Sequence, residues 1–221
     1  MRFPRVYRRI MNSLLHILHR RLTQPRVIML DNLCIQICPQ VFHPGYGRTT
    51  LFFIQHMILH PQNRVLEIGT GTGAIAAAAA RITHDVTATD VNPYAVNCAQ
   101  GTMKLNKVET RVTVLRGDLF APVQGEVFDV ILFNPPYFDL ITESWIGSAW
   151  AAGPKCELID RFLVEARSYM NEEGCIQMLA SSAAPLRRIL RRIQEIRYRY
   201  RIIAQGRLLG FGEKLYLFQL W

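Results

Sequence analysis

Four stretches bring side chains capable of chemistry to the ends of predicted strands. The first is Asn134-Pro135-Pro136-Tyr137, directly after the apolar run Phe128-Asp129-Val130-Ile131-Leu132-Phe133. Two consecutive prolines cannot donate to a sheet ladder, so the strand stops and the chain enters a rigid loop. In an open α/β sheet the loop beyond a strand's carboxyl end is where ligands bind. An amide, two fixed carbonyls and an aromatic ring delivered there suit the grip of a planar NH2 group.

The second stretch, Glu67-Ile68-Gly69-Thr70-Gly71-Thr72-Gly73-Ala74, leaves a predicted strand and enters a predicted helix. Its glycines permit a tight turn and let a ligand lie against bare backbone. Asp90, followed by Val91, ends the next strand about twenty residues later, where a ribose-binding acid belongs. Together these specify an adenosine-containing cofactor, and a dinucleotide fits the GxGxxA spacing as well. Glu67 argues against the dinucleotide, because a carboxylate suits a cationic amino-acid group and would repel a pyrophosphate. Asp118, followed by Leu119, ends the third strand, where its carboxylate can accept a hydrogen bond from an adenine amino group.

The elements that must position these groups read off periodicity. Residues 6–22 form an amphipathic basic helix stopped by Pro25. Runs 26–30 and 33–38 flank the turn pair Asp31-Asn32 and predict a hairpin. A Pro/Gly loop over 41–50 ends in a threonine suited to cap a helix over 51–59. Strands and helices then alternate: strand 64–68, helix 74–82, strand 85–89, helix 94–105, strand 111–116, strand 128–133, a long loop 138–153, helix 157–170, a turn at Glu172-Glu173-Gly174, strand 175–179 and a basic helix 184–196. Two last strands, 198–204 and 214–221, are joined by a glycine-rich link and should pair antiparallel. The fold class is α/β: a doubly wound, mostly parallel seven-stranded sheet with an antiparallel C-terminal hairpin. A boundary near residue 60 separates an N-terminal extension (1–60: basic helix, hairpin and substrate-side loop) from the main domain (61–221).

Composition narrows the class. Half of the 221 residues are hydrophobic, enough for a sizeable core. No apolar run reaches the roughly 18 residues that span a bilayer. Five scattered cysteines predict buried thiols in a reducing compartment, the cytoplasm, and neither they nor His43, His56 and His60 form a metal set. The Arg-rich, acid-poor start, expected to be retained, makes a mitochondrial presequence the minor alternative. The net charge is +9, and all but four of the 26 basic residues are arginine. They cluster over 1–30 and at Arg187, Arg188, Arg191, Arg192, Arg197, Arg199, Arg201 and Arg207, offering contact with RNA or an acidic surface.

The motifs Val65–Gly73, Thr89–Pro93, Gly117–Phe120 and Asn134–Tyr137 resemble those of the class I S-adenosylmethionine-dependent methyltransferases, with a Rossmann-like fold. The resemblance is nearest to the amino-methylating branch with an NPPY-type motif, and within it to the HemK-like protein-glutamine methyltransferases. Asp160-Arg161-Phe162 and Gly212-Glu213-Lys214-Leu215 resemble the shorter eukaryotic and archaeal enzymes of that kind. The resemblance implies that Glu67, Gly69, Thr70, Gly71 and Gly73 line the methionine part of S-adenosylmethionine, that Asp90 and Val91 meet its ribose end, and that Asp118 and Leu119 meet its adenine. It implies that Asn134, which also borders the cofactor, and Pro135 accept the hydrogens of the target NH2, with Pro136 stiffening the loop and Tyr137 stacking on the target. Related enzymes often carry an acid in the loop over 43–50. Arg48 stands there instead, which suits an anionic group in the acceptor.

The chemistry fits such a motif. An amide nitrogen is a poor nucleophile because its lone pair is delocalised. Two acceptors on its hydrogens favour pyramidalisation and aim the lone pair at the methyl carbon, so no strong base is needed beforehand. The expected activity is therefore N-methylation of a planar amino or amide nitrogen, with protein glutamine as the implied acceptor. The alternative is a tRNA or rRNA base, adenine N6 or guanine N2, which must be unstacked to enter. A non-catalytic cofactor-binding partner protein is the distant alternative. Trp145 and Trp150, in the long loop, are candidates for a lid over the target. The oligomeric state is not legible.

Overall fold

The computed structural model describes residues 23–45, 48–139, 141–207 and 213–221. The predicted basic helix over 6–22 and the glycine-rich link over 208–212 lie outside the described residues. The chain begins with a hairpin of β1 (Arg26–Leu30) and β2 (Leu33–Ile37), and Asp31 and Asn32 both take left-handed φ at its two-residue turn. Then come α1 (Thr49–His56), β3 (Arg64–Ile68), α2 (Ala74–Ala79), β4 (Asp85–Asp90), α3 (Pro93–Asn106), β5 (Val112–Arg116) and β6 (Phe128–Phe133). The second half holds α4 (Trp145–Ser148), α5 (Glu157–Ala166), β7 (Met170–Ser181), α6 (Leu186–Glu195), β8 (Tyr200–Arg207) and β9 (Lys214–Leu220).

Seven strands form one sheet in the order β5-β4-β3-β6-β7-β9-β8. All neighbours are parallel until β9, which runs antiparallel between β7 and β8, as predicted for the C-terminal pair. Strand alternation divides the interior into two layers. Leu66, Ile68, Ile131, Phe133, Ile176 and Met178 point to one face, where Ile159 and Phe162 of α5 and Ile189 and Ile193 of α6 cover them. Val65, Val130, Leu132 and Leu179 point to the other face, under Phe53 of α1, the alanines of α2, Met103 of α3 and Leu33 and Ile35 of β2.

The order reverses between β3 and β6. Both adjacent strands run parallel there and their following connections leave to opposite sides, so a crevice opens beyond their carboxyl ends. Both chemistry-bearing loops, 67–74 and 134–137, emerge at that crevice.

The hairpin is fastened by side chains of α3. Cys98, Thr102 and Asn106 are spaced i, i+4, i+8 and face the backbone of β2. Asn106 accepts from the Cys34 amide at 3.0 Å and donates to the Cys34 carbonyl at 2.7 Å, and the Thr102 hydroxyl accepts from the Gln36 amide at 3.1 Å. One face of a helix thereby pairs a strand edge that would otherwise be open.

Three departures from the expected boundaries bear on the packing. The helix expected over 51–59 is Thr49–His56, and Arg48, not a threonine, precedes it at φ 51° with no side-chain cap. It stops early because the chain turns extended at Met57 to meet Gln177: the Ile58 amide donates to Gln177 Oε1 at 2.9 Å, and Gln177 Nε2 donates to the Ile58 carbonyl at 2.6 Å. The helix expected to reach 170 ends at Ala166 and tightens into a 3-10 turn over Arg167–Tyr169. The turn expected at Glu172-Glu173-Gly174 is instead an irregularity inside the long strand β7. Pairing jumps from Phe128↔Met170 to Val130↔Cys175, and a Cβ on Gly174 would lie 2.9 Å from the Asn171 carbonyl oxygen. Only glycine passes there, so the turn residues fold into a bulge.

Among the described residues no helix is long and apolar enough to cross a membrane. Gln177 is fully buried and pairs with both Ile58 backbone groups. Gln177→Leu should therefore lower the unfolding free energy by about 1–3 kcal/mol for each group left unpaired. A denaturant titration at unchanged m-value measures it.

Candidate functional site

The glycine turn is built by hydrogen bonds that close it on three sides. The Thr89 carbonyl, near the end of β4, accepts from the amides of Gly69 (2.8 Å) and Thr70 (3.0 Å). Gly69, Gly71 and Gly73 all take positive φ, which a side chain would oppose. At Gly73 there is no room either, since a Cβ would meet Met103 Cε at 2.7 Å and Ala99 Cα at 2.9 Å. This close approach seats α2 against α3.

Glu67 sits beneath the turn, almost wholly buried. Its Oε2 accepts from the Thr70 hydroxyl at 2.6 Å and from the Ala76 amide, in the first turn of α2, at 2.9 Å. Burial pushes its pKa up from 4.5 to about 8, opposed by those two donors and reinforced by the charge of Asp90. Asp90 is fixed symmetrically: Oδ2 accepts from the Gly71 amide at 2.8 Å and Oδ1 from the Asn92 amide at 2.9 Å. Burial raises its pKa and the two backbone donors lower it. Each oxygen keeps a lone pair for a further donor, as vicinal hydroxyls would supply.

Asp118 does not stand alone at the third strand end. Arg161 Nη2 of α5 donates to its Oδ2 at 2.5 Å, and this contact raises the Arg161 pKa. Both groups are about half exposed, so the pair is worth little in stability. Its consequence is geometric: one carboxylate oxygen is taken, and the guanidinium becomes part of the wall. Leu119, buried at φ 46°, turns inward beside it.

These groups surround one cavity of about 440 Å³. Glu67, Gly69, Thr70, Gly71, Asp90, Val91, Asp118, Leu119, Asn134, Pro135, Pro136 and Tyr137 all line it. Gly73 does not, and serves the packing of α2 instead. A buried acid, a ribose-ready acid and a polar rim beside apolar Val91 and Leu119 form a donor and acceptor set that fits an adenosine bearing a cationic amino acid. Among the described residues no three His, Cys, Asp or Glu side chains converge on a metal-binding geometry.

The remaining walls were only partly legible. Backbone bonds bridge the long loop: Phe138 donates its amide to the Trp150 carbonyl at 2.9 Å, and Ala152 donates to the Phe138 carbonyl at 2.8 Å. Ser144 caps the short helix α4 within it. Trp145 and Trp150 both face the cavity, and Trp150 packs edge-on to Phe42 at 4.7 Å. In the loop over 43–50, exposed Arg48 does not reach the cavity wall, whereas buried Thr49 and Thr50 do. The left-handed turn at Arg48 swings its side chain outward and starts the helix one residue later. Of the α6 arginines, Arg188 and Arg192 pair with Asp160, and Arg191 and Arg192 pair with Glu195. Three of the four arginines of that stripe are thus paired within the fold.

A pH dependence follows from Glu67. Its folded pKa lies above its unfolded one, so the unfolded chain ionises first, and stability falls as pH rises from about 4.5 to about 8 and is level above. Glu67→Gln keeps an acceptor for Thr70 and Ala76 without the charge. It should stabilise the ligand-free protein by on the order of a few kcal/mol at pH 8 and by much less at pH 5. Thermal melts across that range check the slope, while affinity for a cationic ligand should fall.

Comparison with known proteins agrees with this geometry. The profile of the family described as "Methyltransferase small domain" matches residues 39–206. A putative protein N5-glutamine methyltransferase of Methanocaldococcus jannaschii is 31% identical over 201 residues, covering 88% of this chain and 98% of that protein. The release factor glutamine methyltransferase of Aquifex aeolicus is 40% identical over 94 residues, covering 40% of this chain and 34% of its own length. Among solved structures, the E. cuniculi Mtq2–Trm112 complex, described as responsible for methylation of the termination factor eRF1, superposes with a TM-score of 0.63 at 26% identity, covering 82% of this chain and 98% of that chain. With the profile running through both the glycine turn and the Asn134–Tyr137 loop, this chain belongs to the methyltransferase small domain family.

Proposed function

We propose that this protein methylates the side-chain amide nitrogen of a glutamine in a protein substrate. The observation that carries the reading is the shared cavity: the Asn134–Tyr137 loop and the Glu67, Asp90 and Asp118 carboxylates border one space. The methyl donor is S-adenosylmethionine, which supplies an electrophilic methyl group on a sulfonium and leaves as the thioether.

The chain's own residues do the rest. Glu67, once ionised, answers the donor's ammonium; Gly69, Thr70 and Gly71 offer bare turn backbone; Asp90 takes the ribose hydroxyls, with Val91 beside it. Asp118 and Leu119 take the adenine edge and face. The Asn134 side-chain oxygen and the Pro135 carbonyl accept the two amide hydrogens, and Pro136 denies the loop the freedom to retreat. Tyr137 provides the wall against the planar group. These acceptors strengthen as positive charge grows on nitrogen, so they act mainly on the transition state. One amide proton leaves after transfer. The described part of the extension before residue 60 contributes Thr49, Thr50 and Phe42 to the acceptor side.

Protein glutamine is favoured over an RNA base for two reasons. The M. jannaschii relative, matched over nearly its whole length, is named for glutamine. Three of the four α6 arginines that suggested RNA, Arg188, Arg191 and Arg192, are engaged by Asp160 and Glu195.

Tritiated S-adenosylmethionine incubated with protein and cell lysate, then split by ribonuclease and by protease, tests the acceptor. Label released by protease and untouched by ribonuclease is expected, and the reverse would sink the glutamine reading. Asn134→Ala should reduce transfer by about a hundredfold or more, as loss of a transition-state acceptor does. Calorimetry should show its donor affinity within about threefold of the parent.

A further inference from the structure

The two prolines immobilise the backbone of the Asn134–Tyr137 loop but not the ring of Tyr137, whose torsions lie beyond them. Something else must hold that ring if it is to face a reacting nitrogen. Its surroundings show what does. The ring packs against the α5–α6 side of the core and lies edge-on to Phe138 at 5.0 Å. Its hydroxyl donates to Glu213 Oε1 at 3.4 Å. Glu213 lies 76 residues further along the chain, just before β9, and belongs to neither the glycine turn nor the proline loop.

Glu213 is itself tied down. The hydroxyl of fully buried Ser181, at the end of β7, donates to the same Oε1. Ser181 Oγ in turn accepts from the Ala183 amide at 2.9 Å. Next to it the strand ends are bracketed by a reciprocal pair: Ser182 donates its amide to the Lys214 carbonyl at 2.8 Å, and Lys214 donates its amide to Ser182 Oγ at 2.9 Å. A flexible carboxylate is thereby fixed at both its backbone and its head. One oxygen joins the end of β7, the start of β9 and the aromatic residue that closes the loop after β6.

We infer that Glu213 is a positioning residue, which sets the orientation of the Tyr137 ring through its hydroxyl, with Ser181 as the anchor of that carboxylate. The inference rests on the N-methylation reading for its kinetic consequence and on the contacts alone for the positioning. What the ring needs from Glu213 is an acceptor, and a neutral amide oxygen also supplies one.

The test is a kinetic cycle on the full chain with whichever lysate fraction, protein or RNA, accepts the tritiated methyl. Glu213→Ala should lower kcat about tenfold, with donor Kd within about twofold, because a ring displaced by a fraction of an ångström misaligns the acceptor. Glu213→Gln should restore most of the rate. In a Tyr137→Phe background, Glu213→Ala should cost less than about twofold further, since the hydroxyl through which it acts is gone. Parent-like kcat in Glu213→Ala, or a full tenfold loss in the Tyr137→Phe background, overturns the inference. A purely structural role for Glu213 would give that second result.

Carbon-13 tyrosine spectra read the same contact without any acceptor. The Tyr137 ring signal, assigned by its loss in Tyr137→Phe, should shift in Glu213→Ala and stay near the parent position in Glu213→Gln. An unchanged signal in Glu213→Ala overturns the inference whatever the acceptor proves to be. If neither lysate fraction is labelled, the methylation reading fails, and the ring signal alone decides whether Glu213 positions Tyr137.

Discussion

A carboxyl group cut off from water holds the turn on which the rest of this site depends. Glu67 faces the layer beneath α2, and its hydrogen bonds to Thr70 and Ala76 close the glycine turn onto the start of that helix. Removing a carboxylate from water is unfavourable unless the group is neutral or partnered. The fold therefore keeps Glu67 neutral near physiological pH, with a pKa of about 8, where an ordinary glutamate would be ionised. On the proposed function, the ammonium of the methyl donor arriving above it would relieve that situation. Stability of the free protein and affinity for a cation are thus opposed at one residue, the arrangement expected where a site is built for its ligand before the ligand is present.

The second constraint is the order of the sheet. Placing β3 beside β6 sets the glycine turn next to the proline loop, although Asn134 lies 61 positions after Gly73 in the chain. The proposed function has one loop lie against the methyl donor and the other present acceptors to a planar nitrogen; the two share a cavity because their strands share a ladder. Asp90 and Asp118 follow from the neighbouring strands β4 and β5, so the polar groups progress along one edge of the sheet. Beyond the proline loop, Phe138, Trp150 and Ala152 are joined by backbone bonds, and Trp145 and Trp150 line the same cavity.

Much of this was legible locally. Strand and helix periods, the Asp31-Asn32 turn, the proline loop and the antiparallel end pair all appear where expected. Two of the boundary departures have a common origin. The helix after Arg48 stops where Gln177, more than a hundred residues away, captures the Ile58 backbone. The Glu172-Glu173-Gly174 segment stays in β7 because β6 offers it a partner on either side of a bulge. Local propensity describes what a segment prefers, and a distant hydrogen-bonding partner can override it.

The sequence by itself determined the type and order of the elements, and the four strand ends with their glycines, acids and asparagine. Those features depend on the residue's own backbone preferences and on neighbours a few positions away. Only the tertiary structure decided how the side chains are engaged. It gave Asp118 to Arg161, 43 residues on. It turned Arg48 outward and Thr49 and Thr50 toward the cavity, and joined Tyr137 to Glu213. It also spent much of the α6 arginine stripe on Asp160 and Glu195. The reason is distance: hydrogen bonds and ion pairs form within a few ångströms, and which residues come that close is set by the stacking of β-strands and helices, not by spacing along the chain.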